Sequence, residues 1–199
     1  MLFDTDPAAT LERLRRETLS AQCPDAGPPV FGDGSPTARL ALVGEAPAER
    51  DEATGRPFSG PAGQFLDQLL ADAGLRREEL WLTNVVKCRP IKVERGFARN
   101  RPPTQAEIRS WADELRQELE AVRPRVVLCF GATAAAALIK KGFKLSQERG
   151  HWFPGPAGSR AMATFHPAYA LRLEGDDREA VRLVVLHDLR EAARAASGD

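Results

Sequence analysis

Cysteine is scarce in this chain of 199 residues, with three at positions 23, 88 and 129 and no regular spacing between them. That argues against a disulfide framework and makes the reducing cytoplasm the expected compartment. An excess of one charge is missing as well: 28 Lys and Arg stand against 28 Asp and Glu. Dedicated electrostatic binders of nucleic acid are usually basic overall, so any such contact here has to be local. No apolar run approaches the roughly 18–20 residues of a membrane-crossing helix, so no membrane partner is expected. The first residues, Met1-Leu2-Phe3-Asp4-Thr5-Asp6, are acidic and hold no apolar signal stretch.

What remains is ordinary globular composition, 43 % hydrophobic and 28 % charged, enough for one domain with a full core over residues 1–199. Leu11, Leu14 and Leu19 share one face of a helix expected over 7–18. Pro24 to Pro36 reads as an extended lead-in to a strand at 39–43, and a long polar loop follows from Glu45 to Ser59. Pro61 opens a helix carrying Phe65, Leu66, Leu69 and Leu70, which Gly74 closes. A strand is expected over 80–86. Thr104 and Glu107 form a capping box for a helix reaching about Val122. Arg125 to Phe130 is a continuous apolar run, as in a strand buried on both faces, and leads through Gly131 into an Ala-rich helix at 132–140. A weak strand at 150–153, a strand at 161–165 and a helix over 178–195 complete the pattern. Strands alternating with helices predict a three-layer α/β/α domain with a mostly parallel sheet.

Three of these strands run directly into polar residues. Leu40-Ala41-Leu42-Val43 ends in Gly44-Glu45, Leu80-Trp81-Leu82-Thr83 in Asn84, and Ala161-Met162-Ala163-Thr164-Phe165 in His166. Ligands of open α/β sheets sit beyond the carboxyl ends of the strands, so Glu45, Asn84 and His166 describe one site. His151 and His187 fall on a weak strand and the last helix and read as structural. The stretch Lys87–Arg101 holds Lys87, Arg89, Lys92, Arg95, Arg99 and Arg101 against the single acid Glu94. Without periodicity it reads as a basic loop leaving the Asn84 strand end, placed to hold phosphates.

Gly44-Glu45-Ala46-Pro47-Ala48-Glu49-Arg50-Asp51-Glu52, continued by Thr54-Gly55-Arg56-Pro57-Phe58-Ser59-Gly60-Pro61-Ala62-Gly63, forms one motif. Thr83-Asn84-Val85-Val86-Lys87-Cys88-Arg89-Pro90 forms a second and Phe165-His166-Pro167-Ala168-Tyr169-Ala170-Leu171-Arg172 a third. In order and separation they resemble the uracil-DNA glycosylase superfamily, most closely its family 4 branch, over about residues 31–195. The resemblance implies a central four-stranded parallel sheet between helices. It also implies hydrolysis of the bond between uracil and deoxyribose in single- or double-stranded DNA, with free uracil as product. A monomer is expected.

The resemblance assigns roles residue by residue. Phe58 stacks on the flipped base, and Asn84 reads its edge with one acceptor and one donor. His166 donates to the charge that builds on the leaving uracil. Asp51 or Glu45 supports the sugar cation or the water. Ala46 lines the uracil pocket where other branches carry a water-activating Asp or Asn, so mainly dissociative catalysis is expected. Lys87, Arg89, Arg95, Arg99 and Arg101 contact DNA, as do Tyr169, Leu171 and Arg172, with Leu171 or Tyr169 filling the gap left by the base.

Two departures stand out. Family 4 enzymes hold an iron–sulfur cluster through four cysteines. Here only Cys88 clearly matches a ligand position: Trp111 stands at the next, Cys23 is the remnant of an N-terminal pair, and Cys129 sits mid-strand. Loss of the cluster is therefore expected, with no other metal or cofactor. Ala48 replaces a glycine, so a positive φ there would force the loop to shift. A non-catalytic binder of uracil-containing or abasic DNA, and a glycosylase for another deaminated base, stay open.

Overall fold

Leu40 and Leu42 pack into one core cluster and Ala41 and Val43 into another on the opposite face of the sheet, the two-residue alternation of a strand covered on both sides. The computed structural model describes residues 6–23 and 26–198. The acidic start at residues 1–5 and part of the lead-in, residues 24–25, lie outside them. In chain order the elements are α1 (Pro7–Ser20), β1 (Asp33–Gly34), β2 (Leu40–Gly44), α2 (Glu49–Thr54), α3 (Pro61–Asp72), β3 (Trp81–Asn84), β4 (Ile91–Glu94) and β5 (Phe97–Asn100). There follow α4 (Gln105–Ser110), α5 (Ala112–Val122), β6 (Val126–Phe130), α6 (Gly131–Leu138), α7 (Leu145–Glu148), β7 (Phe153–Pro154), β8 (Arg160–Thr164), α8 (Pro167–Ala170) and α9 (Gly175–Ser197).

The strand order is β1-β3-β2-β6-β8-β7. The central β3, β2, β6 and β8 are parallel, as expected, but short antiparallel edge strands extend the sheet to six. Those two-residue edges are too brief to carry a readable alternation. One core cluster joins the sheet to α1, α5 and α6, and the other joins it to α3 and α9. The helix layers thus lie on both faces, giving the expected α/β/α class.

Register decides where the site falls. Gly44 pairs with Asn84, Val43 with Cys129, and Phe130 with Thr164, so four strands finish side by side. From β2 the chain moves to β3 on one side, and β6 flanks β2 on the other. The crevice between β2 and β6 is the switch point where α/β sheets bind ligands.

Four local readings change. The polar loop after β2 contains α2, ended by Gly55 in the left-handed region (φ 68). The helix expected over 104–122 bends at Trp111, whose buried side chain joins Leu115 and Leu119 in the core, although the Thr104–Glu107 capping box opens it as anticipated. The basic loop is a hairpin, β4 against β5, turned by Arg95 and Gly96 at φ 52 and 81. Positive φ at both central residues is the turn that suits the strand twist, and an X-Gly pair between short alternating runs is its sequence signature. Finally, Cys23 and Cys88 form a disulfide, with Cα atoms 5.5 Å apart. Irregular spacing in sequence gave no sign of this, because the lead-in folds back to Lys87, whose carbonyl accepts from the Val30 N–H at 2.8 Å.

Candidate active site

Beyond the strand ends lies a cavity of about 400 Å³ lined by Glu45, Ala46, Asp51, Phe58, Asn84 and His166, among others. The three strand-end residues and the loop phenylalanine are thus brought together. Their placement rests on two glycines. A Cβ on Gly44 would sit 2.4 Å from Asn84 Oδ1 and 2.7 Å from Phe58 Cζ, so β2 must end without a side chain for the amide and ring to fit. A Cβ on Gly63 would lie 1.8 Å from the Phe58 carbonyl oxygen, so the first turn of α3 presses directly on the Phe58 backbone. Phe58 itself adopts φ 53, costly for a bulky residue and held by that packing.

Asp51 pins the same loop. Its Oδ2 accepts from the Ala48 N–H at 3.0 Å and its Oδ1 from the Ser59 N–H at 2.6 Å. Both oxygens therefore have backbone partners. Ala48 sits at φ −106, ordinary extended backbone, so replacing glycine there costs no strain. Glu45 is only partly buried, and its Oε2 accepts from the Thr133 hydroxyl on α6. Its other oxygen has no protein partner among the described residues.

His166 heads α8, where its Nδ1 accepts from the Ala168 N–H at 3.1 Å. An accepting Nδ1 is unprotonated, so the proton of the neutral ring sits on Nε2. Burial, and then the Arg172 cation, pull the pKa down to about 4. A cationic ring would also turn Nδ1–H against the Ala168 donor. His166 is thus a neutral Nε2–H donor across the physiological range. Its ring stacks on Phe58 with centroids 6.1 Å apart and planes 23° from parallel, and Phe130 meets both rings edge-on.

Asn84 is 3 % exposed, yet its side-chain amide makes no hydrogen bond to protein among the described residues. The amide atoms are not sealed in the interior; they open onto the cavity, where donor and acceptor are free to meet a ligand. Its backbone is anchored by Lys87, which is fully buried. The ammonium donates to Thr83 Oγ1 at 2.7 Å and to the Asn84 carbonyl at 2.9 Å, and it pairs with buried Glu118 at 2.7 Å. Trp81 Nε1 donates to the other Glu118 oxygen at 3.3 Å. Lys87 therefore cannot reach DNA, and the expectation is corrected: three interior acceptors consume its charge.

Arg89 is corrected likewise. It is buried, donates to Asn100 Oδ1 at 2.6 Å, and faces Glu52 at 3.4 Å and Glu49 at 3.5 Å. Arg101 lines the cavity but forms a two-pronged pair with Glu107 at 2.7 and 2.8 Å, and its hydrogen bonds, helped by those from Thr104, hold that carboxyl down to about 2. Arg95 and Arg99 stay exposed. Leu171 packs into the core with α9 and does not project, whereas Tyr169 is exposed on the rim with Arg172 over its ring at 5.7 Å. Sequence reading missed Phe130, Asn100 and Thr133. The first looked like strand core, and the other two reach the site only through tertiary folding.

The donor set for a metal is poor. Cys23 and Cys88 are bonded to each other, and Cys129 is buried in the sheet with its pKa pushed up to about 12 by burial. No group of three or more His, Cys, Asp or Glu among the described residues is arranged to hold an ion. A four-thiolate cluster does not fit these residues.

The model of the uracil DNA glycosylase superfamily matches residues 31–190. A type-4 uracil-DNA glycosylase of Thermotoga maritima is 37 % identical over 164 residues, covering 82 % of this chain and 80 % of that one. A type-4 enzyme of Archaeoglobus fulgidus is 44 % identical over 106 residues, 53 % of this chain and 50 % of its own. A type-5 uracil-DNA glycosylase of Thermus thermophilus is 34 % identical over 187 residues, covering 84 % and 80 %. Since the matched span contains every residue that lines the cavity, this chain belongs to the uracil-DNA glycosylase superfamily.

Proposed function

We infer that this chain is a DNA-repair glycosylase that hydrolyses the N-glycosidic bond of uracil in DNA. The observation that carries the reading is the convergence on one cavity of an amide without a protein partner among the described residues, a stacking ring and a neutral Nε2–H donor. The base leaves the helix and enters against Phe58, where Asn84 Oδ1 accepts from its ring N–H and Nδ2 donates to a ring carbonyl. The C1′–N1 bond breaks with its electron pair going to uracil, and His166 Nε2–H stabilises the oxygen on which that charge collects. Water adds to C1′ and loses a proton, which returns to uracil through solvent. Of the two acids proposed for the sugar cation, Glu45 has an oxygen free of protein partners. Asp51 serves as the clasp of the Phe58 loop.

Labelled DNA with one uracil, cleaved by alkali after incubation, tests the reading, with hypoxanthine and thymine mismatches alongside. Release from uracil alone supports it. Binding without release would leave a non-catalytic binder, and release of another base would move the substrate. Asn84→Asp sharpens the test. An ionised carboxylate cannot donate, leaving a buried carbonyl unpaired at a cost of about 1–3 kcal/mol. Uracil excision is expected to fall by about 5–150-fold, the same figure at 1.4 kcal/mol per decade. Unchanged kinetics would remove Asn84 from the pocket.

The enzyme acts as a cytoplasmic monomer without an iron–sulfur cluster. The complete cavity within one chain supports the monomer, and the Cys23–Cys88 bridge supports the loss of the cluster by withdrawing two of the three thiols. The compartment rests on composition alone, since a structural disulfide is unusual in a reducing cytoplasm. The purified protein should be colourless and, denatured without reductant, should show a single reactive thiol, Cys129. Absorbance near 400 nm with about four irons per chain, the content of a four-iron cluster, would overturn it.

A further inference from the structure

Five large apolar side chains are exposed among the described residues: Leu19, Val93, Phe97, Tyr169 and Leu183. Tyr169 lies on the cavity rim, and Val93 and Phe97, 68 % and 72 % exposed, sit on the β4–β5 hairpin. The hairpin springs from that same rim, because Pro90, Asn100 and Arg101 line the cavity at its root. An isolated two-stranded hairpin is marginal in water. This one is fixed at its base by Arg89 on Asn100 and by Arg101, whose Nε donates to the Ile91 carbonyl at 2.9 Å while its guanidinium grips Glu107.

Register sorts the hairpin's faces. Lys92 opposes Arg99 and Glu94 opposes Phe97, so these four side chains share one face, and Val93 and Ala98 share the other. Glu94, Arg95, Phe97 and Arg99 line a shallow recess. Within 91–100, three cations face one acid, and Glu94 lies 2.8 Å from Lys92 and 3.6 Å from Arg99, so Arg95 at the turn has no acidic partner among the described residues. An exposed ring amid cations is the arrangement that holds unpaired bases, by stacking on the ring and pairing phosphates with the charges.

We propose that this hairpin is a second DNA-binding element: Phe97 stacks on a base of the strand flanking the flipped nucleotide, while Arg95 and Arg99 hold its phosphates. The proposal rests on the reading of the cavity as a nucleotide pocket. Four extended residues carry the hairpin about 13 Å outward, or about four steps of a duplex strand. A uracil trinucleotide therefore fills the cavity without reaching Phe97.

The test measures fluorescence anisotropy of a labelled single strand without uracil, and separately excision from a uracil trinucleotide. Phe97→Ala should weaken single-strand binding about 5–150-fold, the range for losing one stacked base, with an unchanged salt slope. Phe97→Trp should keep parental affinity. Arg95→Ala with Arg99→Ala should flatten the slope, by about 0.7 for each phosphate no longer held. Both Phe97 variants should cleave the trinucleotide as the parent does. Parental affinity in Phe97→Ala, or equal loss in Phe97→Trp, would overturn the proposal. A trinucleotide that even the parent fails to cleave would count against the pocket, while the anisotropy arm would still judge the hairpin.

Discussion

His166→Ala lowers single-turnover release of uracil about 10²–10³-fold, the range for losing one preorganised donor, and leaves affinity for uracil-containing DNA nearly unchanged. The asymmetry follows from when the bond matters. The uracil oxygens carry modest charge in the ground state and much more as the glycosidic bond breaks, so the donor is stronger in the transition state. Stacking on Phe58 and the hydrogen bonds to Asn84 survive the truncation and keep the base bound. The acid limb carries a second signature. A free imidazole titrates near 6.5, but His166 is held neutral down to about 4. Below that value Nδ1 takes a proton and the Ala168 N–H loses its acceptor, so the ring can no longer stay in place. The rate of the parent should therefore hold from neutrality to about pH 5 and fall as pH approaches 4. A parental profile that breaks near 6.5, with the break removed in His166→Ala, would show that the imidazole is not held neutral. Equal rates for parent and variant would take His166 out of the chemistry.

Lys87→Met is expected to destabilise the fold by about 3–5 kcal/mol, because removing one member of a buried pair strands the other charge. Glu118 would then face the interior with only Trp81 Nε1 as partner. For a domain of this size that corresponds to a loss of roughly 6–20 °C in melting temperature. The double variant Lys87→Met with Glu118→Leu should recover much of the loss, since no charge is left in the core. Recovery of stability should not restore full excision, however. The Asn84 carbonyl and the Thr83 hydroxyl would still lack the ammonium that fixes the strand end. Melting and excision read on the same preparations separate the two effects. A single variant that melts within about 2 °C of the parent, less than 1 kcal/mol on this scale, would mean that the pair contributes little.

Reading the sequence located the parallel strands and the three residues at their ends because both signals are local. An apolar run followed by Glu, Asn or His needs no knowledge of the rest of the chain. The charge on Lys87 misled for the opposite reason. A lysine among five other cations looks like surface, and only Glu118, arriving on α5 from 31 positions away, shows that it is interior. Arg89 and Arg101 misled in the same way, since Asn100 and Glu107 neutralise their outward reach after folding. The hairpin was legible in principle from Arg95-Gly96 between Ile91-Lys92-Val93 and Phe97-Ala98, but the surrounding charge hid a two-residue alternation only four residues long. Asp51 and Glu45 were indistinguishable as a pair of acids. Their backbone and hydroxyl partners tell them apart.

The bridge between Cys23 and Cys88 closes that span of chain into a covalent ring. Glu45, Phe58 and Asn84 all lie inside it, the first two in the connections after β2 and the third at the end of β3, while His166 lies far outside. A single backbone cut within the ring would open it without detaching any part of the molecule, and all four residues would stay on one covalently joined chain. A cut between β5 and α4 would instead separate the half that reads the base from the half that releases it, leaving only non-covalent contacts, among them the β2–β6 pairing, the α1–α5 packing and the Lys87–Glu118 pair, to hold them together.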